Sequence, residues 1–374
     1  MKNIIKQFSI LAPALLGVTL AGNAQQTEKV NIVTSAVPFL RISPDARAGA
    51  MGETGIVSSP DANAQFYNVA KYAFASDQSS IGVTYTPWLR KLGLHDVYLA
   101  SMAGYYKIDE NQAVSGSLKY FSLGNLQLTD HNGNDLYTSN PREFSIDAGY
   151  SRKLSDQFSL GGALRYIHSN LGGHATSGTS DFKPGNAFAA DLGFYYSKAT
   201  AEKGGWVAGL AITNLGSKIS YSSAADQKSF LPANIGLGVG HSWINDQHQF
   251  SLNGEINKLL VPDLASDATE EDYRKYNQEG IVSSYFSSFS NKAMAYSVGA
   301  EYIYDKMFAL RAGYYADSRS MGERHYLTAG AGVNYSFLGF NFSYLVPSGS
   351  GVGVSPLANT VRFSLLMNIS GKDK

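Results

Sequence analysis

The sequence predicts an all-β fold, a transmembrane antiparallel β-barrel of about 14 strands with an N-terminal plug. Three observations support this fold class. From residue 79 onward, side chains alternate with the period of two that is typical of a strand. One face of these strands is repeatedly aromatic and free of charge, which suits lipid better than water. The connections alternate between short and long, as they do in outer-membrane barrels.

The alternation is clear in the segment 142–153. Phe144, Ile146 and Tyr150 share one face there, whereas Glu143 and Asp147 lie on the other. Runs of this kind predict strands at 79–87, 95–107, 113–128, 142–153, 157–169, 186–198, 205–215, 232–243, 247–258, 294–304, 307–317, 325–337, 338–346 and 359–369. Boundaries read from one sequence are uncertain by about two to four residues, so about twelve or sixteen strands remain alternatives.

The predicted connections after even-numbered strands are short, and most of those after odd-numbered strands are long. The long ones are 129–141, 170–185, 216–231 and 259–293. Outer-membrane barrels have short periplasmic turns and longer outside loops. A chain that starts in the periplasm and has an even number of strands produces this order. The sequence therefore predicts a multi-pass outer-membrane protein with both its N- and C-termini in the periplasm.

The N-terminal residues 1–24 are predicted to be a secretory signal peptide. Lys2 and Lys6 precede an apolar run at 10–20, and small residues follow at Gly22 and Ala24. The apolar run is shorter than the roughly 20 residues that a membrane-spanning helix needs. The predicted domains are therefore the signal peptide at 1–24, a plug at 25–78 and the barrel at 79–374.

The composition excludes several classes of function. The chain has 38 Gly, 24 Tyr and 19 Phe but no Cys, which removes disulfides, zinc–thiolate sites and thiol catalysis. Lys and Arg number 30, as do Asp and Glu, so the formal net charge is zero. Nucleic-acid binding is disfavoured because there is no basic excess.

The segment 38–74 has the most specific residue order in the chain. It reads PFLRISPDARAGAMGETGIVSSPDANAQFYNVAKYAF and combines many small residues with a few charges. Small residues allow close approach of the backbone, and buried charges need partners. We therefore predict that this segment plugs a polar lumen. The alternative is an N-terminal cap on a β-domain.

The order PDARAGAMGETG followed by FYNVAKYAF resembles the N-terminal signature of the PorV (LptO) family of the type IX secretion system, a branch of the FadL-like barrels. The signature covers roughly a tenth of the chain, and the strand pattern is compatible with the family over nearly all the rest. The family usually reads Asn-Pro-Ala where this chain has Asn68, Val69 and Ala70. A FadL-like barrel is the fold that the resemblance implies.

The inward faces of the predicted strands carry balanced charges. Lys119 belongs to a set of four basic and four acidic residues, a balance that favours mutual pairing and contact with the plug over a charged pore. The predicted plug–lumen contacts are Arg41, Asp45, Arg47, Glu53 and Asn68 of the plug with Asp147, Arg165, Asp191, Glu255, Glu301, Arg311 and Arg362 of the wall. The alternative for each wall residue is an ordinary solvated lumen side chain.

No catalytic or metal-binding residues are predicted. Asp130, Asn132 and Asn134 resemble the start of a calcium loop, but the glycine and the glutamate that such a loop requires are absent. A polar hairpin loop is the better interpretation. The histidines lack metal-site spacing, and no G-x-S-x-G motif occurs. We expect a protein without enzymatic activity and without a cofactor.

The longest loop, 259–293, is predicted to contain a short helix and a contact surface. Ser266 or Thr269 can cap a helix that starts with acids and ends with Arg274 and Lys275. The predicted partner-binding residues are Ile281, Val282, Tyr285, Phe286 and Phe289. Exposed apolar groups at this density indicate a contact surface. The alternative is that they fold back over the barrel mouth or extend a neighbouring strand.

The resemblance to PorV implies a role in protein secretion. It implies an outer-membrane component that binds the C-terminal sorting domains of cargo proteins at the translocon and delivers them to the surface sortase. The implied partners are a SprA/Sov-like translocon barrel, the cargo sorting domains, a PorU-like sortase and outer-membrane lipids. The alternative is a FadL-type transporter of hydrophobic small molecules, because the same fold serves both roles.

Overall fold

The computed structural model describes residues 32–90, 93–129, 132–172, 183–222, 228–265, 267–347 and 359–370. The predicted signal peptide, Asp130 and the predicted cap Ser266 lie outside these residues. Among the helices of the described chain, none has the length and apolarity needed to cross a membrane.

The described chain forms a closed barrel of 14 antiparallel strands, which confirms the predicted fold class. The barrel strands are β1 (Ser79–Pro87), β2 (Val97–Lys107), β3 (Gln112–Leu123), β6 (Arg142–Ser155), β7 (Phe158–Asn170), β8 (Gly185–Ser197), β9 (Gly204–Gly216), β10 (Asn234–Asn245), β11 (His248–Leu259), β12 (Met294–Tyr304), β13 (Phe308–Asp317), β14 (His325–Tyr335), β15 (Leu338–Pro347) and β16 (Val361–Ile369). Each strand pairs with its neighbour in the chain, and β1 pairs with β16 to close the barrel. The alternation of short and long connections is also as predicted.

The loop between β3 and β6 differs from the prediction. The predicted third strand extended to residue 128, but β3 ends at Leu123. The strands β4 (Leu126–Thr129) and β5 (Asp135–Ser139) form a separate two-stranded sheet. Gly124, with φ 83°, separates β3 from β4 because this backbone conformation is readily adopted only by glycine. The described residues on both sides of 130–131 therefore pair as a hairpin.

Tight turns join the strands at one rim, which we call the short-turn rim. Between β12 and β13, Asp305 and Lys306 have φ values of 52° and 55°. Two consecutive residues with positive φ are typical of the turn whose twist matches a two-residue hairpin. The opposite rim carries the long connections, and we call it the long-loop rim.

The outer surface of the barrel has aromatic residues near both rims. Trp206, Trp243 and Phe308 are exposed near the short-turn rim, and Tyr296 and Tyr314 are exposed near the long-loop rim. The outward residues between them are mainly aliphatic. This arrangement of an apolar band between two aromatic belts is that of a barrel in an outer membrane.

The plug is built from short helical turns inside the barrel. It contains helix α1 (Ala46–Ala50) and three 3-10 turns at Pro38–Arg41, Ala62–Phe66 and Val69–Phe74. Asp45, Asp61 and Asn68 each precede one of these elements, and each side chain accepts a hydrogen bond from a backbone N–H of the following turn. Such caps satisfy donors that a short helical turn leaves free.

The plug crosses the lumen from the long-loop rim to the short-turn rim. The Val33 N–H donates to the carbonyl of Ser320, in the connection between β13 and β14, at 2.9 Å. After the plug, β1 begins at Ser79, which pairs with Ile369 at the short-turn rim. The first described residues and the end of β16 therefore lie at opposite rims. The plug therefore crosses the whole barrel before β1 starts, and the expectation that both termini lie in the periplasm stays a prediction.

The longest loop contains two helices. Helix α2 (Glu270–Gln278) is capped by Thr269, whose side chain forms a capping box with Asp272, as one of the two predicted caps allowed. Helix α3 (Ile281–Ser287) follows and continues into a 3-10 turn at Ser288–Ser290. Both helices belong to the long-loop rim, because they connect β11 to β12.

Candidate functional site: plug, cavity and outer loops

A buried cluster of ion pairs joins the plug to the wall. Arg47 of α1 donates through Nε and Nη2 to the two carboxylate oxygens of Glu301 on β12, at 2.9 and 2.7 Å. Arg311 on β13 donates to the same carboxylate at 2.7 Å. Asp61 of the plug accepts from Arg47 at 3.0 Å, so two arginines meet two carboxylates. Charge pairing of this kind offsets the cost of removing the four groups from water.

A second wall carboxylate contacts the plug backbone. Glu255 Oε1 accepts hydrogen bonds from the N–H groups of Gly55 and Ile56 at 2.8 and 2.7 Å, and from Val57 at 3.4 Å. Consecutive backbone N–H groups that converge on one oxygen form a concave anion site. The glycine-containing turn of the plug is therefore fixed by a single wall side chain.

Three further contacts complete the attachment of the plug. Arg362 donates to Glu53 at 3.3 Å. Lys119 donates to the carbonyls of Leu40 and Ile42 at 3.2 and 3.1 Å. Asn68 donates through its amide to the carbonyl of Phe194 at 3.0 Å. These bonds are distributed over β3, β8 and β16, so the plug is attached on several sides of the barrel.

Three of the predicted plug-binding residues contact other wall residues instead. Arg165 donates to Asp147 at 2.6 Å and to Asp191 at 2.9 Å, and it also bonds to Asn214. Arg165 and Asp147 lie directly opposite each other on paired strands, which brings side chains within reach of each other. The physical reason is that Asp147 and Asp191 lie close to Arg165 on neighbouring strands, so these charges pair with one another within the wall and not with the plug.

Two of the predicted plug residues also differ from expectation. Asp45 caps α1 by accepting from the Ala48 N–H at 3.0 Å and accepts a second bond from the Tyr67 hydroxyl at 2.5 Å. Both partners belong to the plug and not to the wall. Arg41 makes no hydrogen bond or ion pair with any residue that the structure describes.

Inward-facing glycines of the wall form a cradle for the plug, which sequence reasoning missed. A methyl group at Gly161 would lie 2.7 Å from the backbone nitrogen of Ala70, and one at Gly313 would overlap the backbone of Gly52. Other members of the cradle are Gly149, Gly193, Gly209, Gly238, Gly299 and Gly330. At these positions the plug comes so close to the wall that the wall has no room for a side chain. The signal in the sequence was the recurrence of glycine on the polar face of several strands.

A polar cavity of about 140 Å³ lies between the plug and the wall. Arg41 and Lys119 contribute to its lining together with Asn214, Asn234 and Asn257. The Met321 side chain of the long-loop rim lies at the same cavity. Nearby, the plug residues Phe39 and Leu40 and several wall residues form an apolar cluster. The cavity lining thus combines charged and amide side chains with apolar ones such as Ile56 and Phe66.

Helix α3 and the 3-10 turn that follows it present an apolar face to solvent, which we call the α3 face. The exposed fractions of Val282, Phe286 and Phe289 are 67%, 74% and 59%. The other two predicted contact residues, Ile281 and Tyr285, are only partly exposed. The Tyr285 hydroxyl accepts a hydrogen bond from the Gly216 N–H at the end of β9, at 3.0 Å. The alternative that this segment folds back over the rim therefore describes Tyr285 but not the three exposed residues.

The neighbouring loop supports helix α2. Lys218 donates to the carbonyls of Tyr276 and Asn277 at 3.4 and 3.0 Å, near the end of the helix. The Lys218 ammonium lies 3.9 Å from the centre of the Phe230 ring. Burial in this environment lowers the pKa of Lys218. The β9–β10 loop thus packs against the β11–β12 loop, which contains α2 and α3.

Within the described ranges, no group of three or more His, Asp or Glu side chains is arranged to bind a metal ion.

The closed barrel, its lipid-suited outer surface and its internal plug define the class of protein as a plugged outer-membrane β-barrel. Solved structures of this fold include the toluene transporter TodX of Pseudomonas putida, with a TM-score of 0.55, 12% identity and coverage of 88% of this chain and 99% of that chain. The toluene transporter TbuX of Ralstonia pickettii has a TM-score of 0.53, 14% identity and coverage of 87% and 98%. At these identities the similarity concerns the fold alone.

The particular family is given by the sequence. The model of the family described as type IX secretion system protein PorV matches residues 24–266, which is more than half of the chain. The chain belongs to the PorV family and is an outer-membrane component of the type IX secretion system. A comparison with curated proteins found no match.

Proposed function

We propose that this protein is a non-enzymatic carrier that binds the C-terminal sorting domains of cargo proteins at the type IX translocon and delivers them to the surface sortase. Its partners are then a SprA/Sov-like translocon barrel, the cargo sorting domains and a PorU-like sortase. Family membership supports the secretion role. The observation that carries the binding step is the exposed apolar face of α3 at the long-loop rim.

The α3 face is suited to binding a protein. Val282, Phe286 and Phe289 follow the spacing that brings residues onto one side of a helix, and all three are more than half exposed. Aromatic anchors of this kind provide most of the affinity in many protein interfaces. The Tyr285 hydroxyl attaches the same element to the barrel through the Gly216 N–H, and Ser284 and Ser288 of this element are buried. The surface is therefore both apolar and fixed in position.

The second candidate is a transporter of hydrophobic small molecules. The fold similarity to the toluene transporters favours it. The lining of the cavity is against it, because Arg41, Lys119 and the asparagine residues would meet an apolar solute without satisfying it. The bonds of Glu255 and Glu301 to the plug likewise oppose a passage that opens through the lumen.

Replacement of Val282, Phe286 and Phe289 by serine should weaken the capture of a purified sorting domain by at least about 10-fold, because the loss of anchor residues typically costs 2 kcal/mol or more. Binding is measured with the purified barrel in micelles by surface plasmon resonance. The matched control is Tyr273→Ser on α2, which changes an exposed aromatic residue, 54% exposed, outside the α3 face. Unchanged affinity in the triple variant would remove α3 from the binding step.

Cysteine labelling tests which rim faces the cell exterior. The chain has no native cysteine, so single introduced thiols report without background. We expect a membrane-impermeant maleimide to label Ile32→Cys and Val282→Cys in intact cells. Asp156→Cys, in the exposed turn between β6 and β7, should react only after the outer membrane is permeabilised. Labelling of Asp156→Cys alone in intact cells would reverse the orientation.

A further inference from the structure

One arginine lines the cavity between the plug and the wall without a bonded carboxylate in the described part of the chain. Arg41 lines the cavity and makes no hydrogen bond or ion pair with the described residues, whereas Arg47, Arg165, Arg311 and Arg362 all pair with carboxylates. Burying an unpaired guanidinium is costly. A side chain of this kind is therefore a candidate for binding a ligand of opposite charge.

The backbone on both sides of Arg41 is fixed. Lys119 donates to the carbonyl of Leu40, before Arg41, and to the carbonyl of Ile42, after it. Leu40 also packs into the apolar cluster that contains Phe121. The arginine thus projects from a rigid segment, which is the preorganisation that a binding site requires.

The charges that line the cavity favour an anionic ligand. Glu255 also lies in the lining, but one of its oxygens already accepts three backbone N–H groups. Glu53 accepts from Arg362. Lys119 donates only to neutral carbonyls. Arg41 is therefore the group of the lining whose charge no carboxylate of the described chain bonds directly, although Asp317 and Glu53 lie close enough to attract it.

The size and lining of the cavity suit a narrow polar group. Its volume of about 140 Å³ is on the order of ten times the space that one water molecule needs. Asn234 donates through its amide to Asn257 Oδ1 at 2.9 Å, so the other amide atoms of this pair, one acceptor and one donor, match the hydrogen-bonding groups of a peptide backbone. A guanidinium beside such groups is a suitable receptor for a carboxylate, which it can bind through two parallel hydrogen bonds.

We propose that this cavity binds the terminal carboxylate of the cargo sorting domain, with Arg41 as the residue that pairs with it. The inference rests on the proposed carrier function and adds a second point of contact to the α3 face. The α3 face then recognises the folded surface of the cargo, while the cavity recognises its chain end. Only a cargo with a free and accessible last residue can make both contacts.

The experiment compares the free acid and the C-terminal amide of a synthetic peptide that contains the last ten residues of a type IX sorting domain. Binding to the whole barrel in micelles is measured by isothermal titration calorimetry for the wild type, Arg41→Gln and Arg41→Lys. Arg319→Gln is the matched control, because Arg319 lies at the same rim and pairs with Glu323 on the exposed surface. Sodium acetate is the competitor that tests for a free small carboxylate.

We expect the wild type to bind the acid at least about 10-fold more tightly than the amide, because a hydrogen bond to a charged group is worth roughly 1.5 kcal/mol or more. Arg41→Gln should abolish the preference, Arg41→Lys should restore part of it, and Arg319→Gln should leave it unchanged. Acetate should compete with the acid peptide.

Equal binding of acid and amide by the wild type would overturn the proposal. Binding of acetate that depends on Arg41, without any preference for the acid peptide, would overturn it in favour of a site for small carboxylates only. In both cases the intact sorting domain would still bind, and the carrier function would stand. Failure of the intact sorting domain to bind at all would instead refute the carrier function and, with it, this inference.

Discussion

Glu301→Gln should lower the free energy of unfolding of the plugged barrel by about 3–5 kcal/mol, the cost typical of breaking a buried ion pair by removing one partner. Glu301 is 2% exposed and accepts bonds from both Arg47 and Arg311. The neutral amide would leave two buried guanidinium groups with Asp61 as the remaining carboxylate bonded to the cluster. We also expect the plug to loosen, because Arg47 is its central attachment to the wall.

Urea unfolding in micelles, followed by tryptophan fluorescence, measures the stability change. Tryptic cleavage after Arg47, detected by mass spectrometry, reports whether the plug has become accessible. Glu143→Gln is the matched control: Glu143 is 1% exposed, but the partner that donates to it is the neutral hydroxyl of Ser169. A similar loss in both variants would mean that burial of the carboxylate, and not its pairing, determines the effect.

Gly313→Ala should destabilise the protein by about 1–3 kcal/mol, the usual range for overpacking a close contact. The added methyl group would overlap the backbone of Met51 and Gly52, neither of which can rotate away as the end of a long side chain could. The plug, and not the lipid-facing wall, must therefore move. Urea unfolding and tryptic cleavage of the plug should both detect the change.

Gly254→Ala provides the contrast for this experiment. Gly254 lies on β11, and a methyl group there would have no heavy atom within 4 Å. Replacing a strand glycine by alanine reduces the entropy of the unfolded chain, so we expect a neutral or slightly stabilising effect of up to about 1 kcal/mol. Equal destabilisation by both substitutions would contradict the assignment of Gly313 to the plug cradle.

The barrel could be predicted from the sequence because each strand carries its own signal. Along β6, Ile146 and Tyr150 meet lipid while Glu143 and Asp147 face the lumen, and this requirement is local to the strand. The alternation of short and long loops can also be predicted, because the length of each loop follows from the positions of its two flanking strands. The boundary of β3 was misjudged because the apolar alternation continues through Gly124 into the hairpin, so periodicity alone did not show where the barrel ends.

The partners of the lumen charges could not be predicted from the sequence. Whether Glu301 meets Arg47 or another cation depends on the path of the plug, which is not encoded in the strand pattern. The same is true of Arg41, because the three-dimensional structure alone shows that no described residue forms an ion pair with it.

The departure from the family motif at Asn68-Val69-Ala70 has a structural explanation. Val69 is the first residue of a 3-10 turn, the position where proline suits a helical start. Asn68 still caps the turn by accepting from the Ala70 N–H at 3.2 Å. Valine therefore preserves the conformation, and its side chain fills the space that Gly149 and Gly161 leave.

The path of residues 33–78 from one rim to the other constrains the order of assembly. Drawing Phe39, Arg47 and Tyr72 through a finished lumen would break the contacts that each of them makes there. We therefore expect the barrel strands to assemble around the plug segment. The pairing of β1 with β16, in which Ser79 lies opposite Ile369, should form last. The plug segment would then act as the template around which the barrel strands assemble.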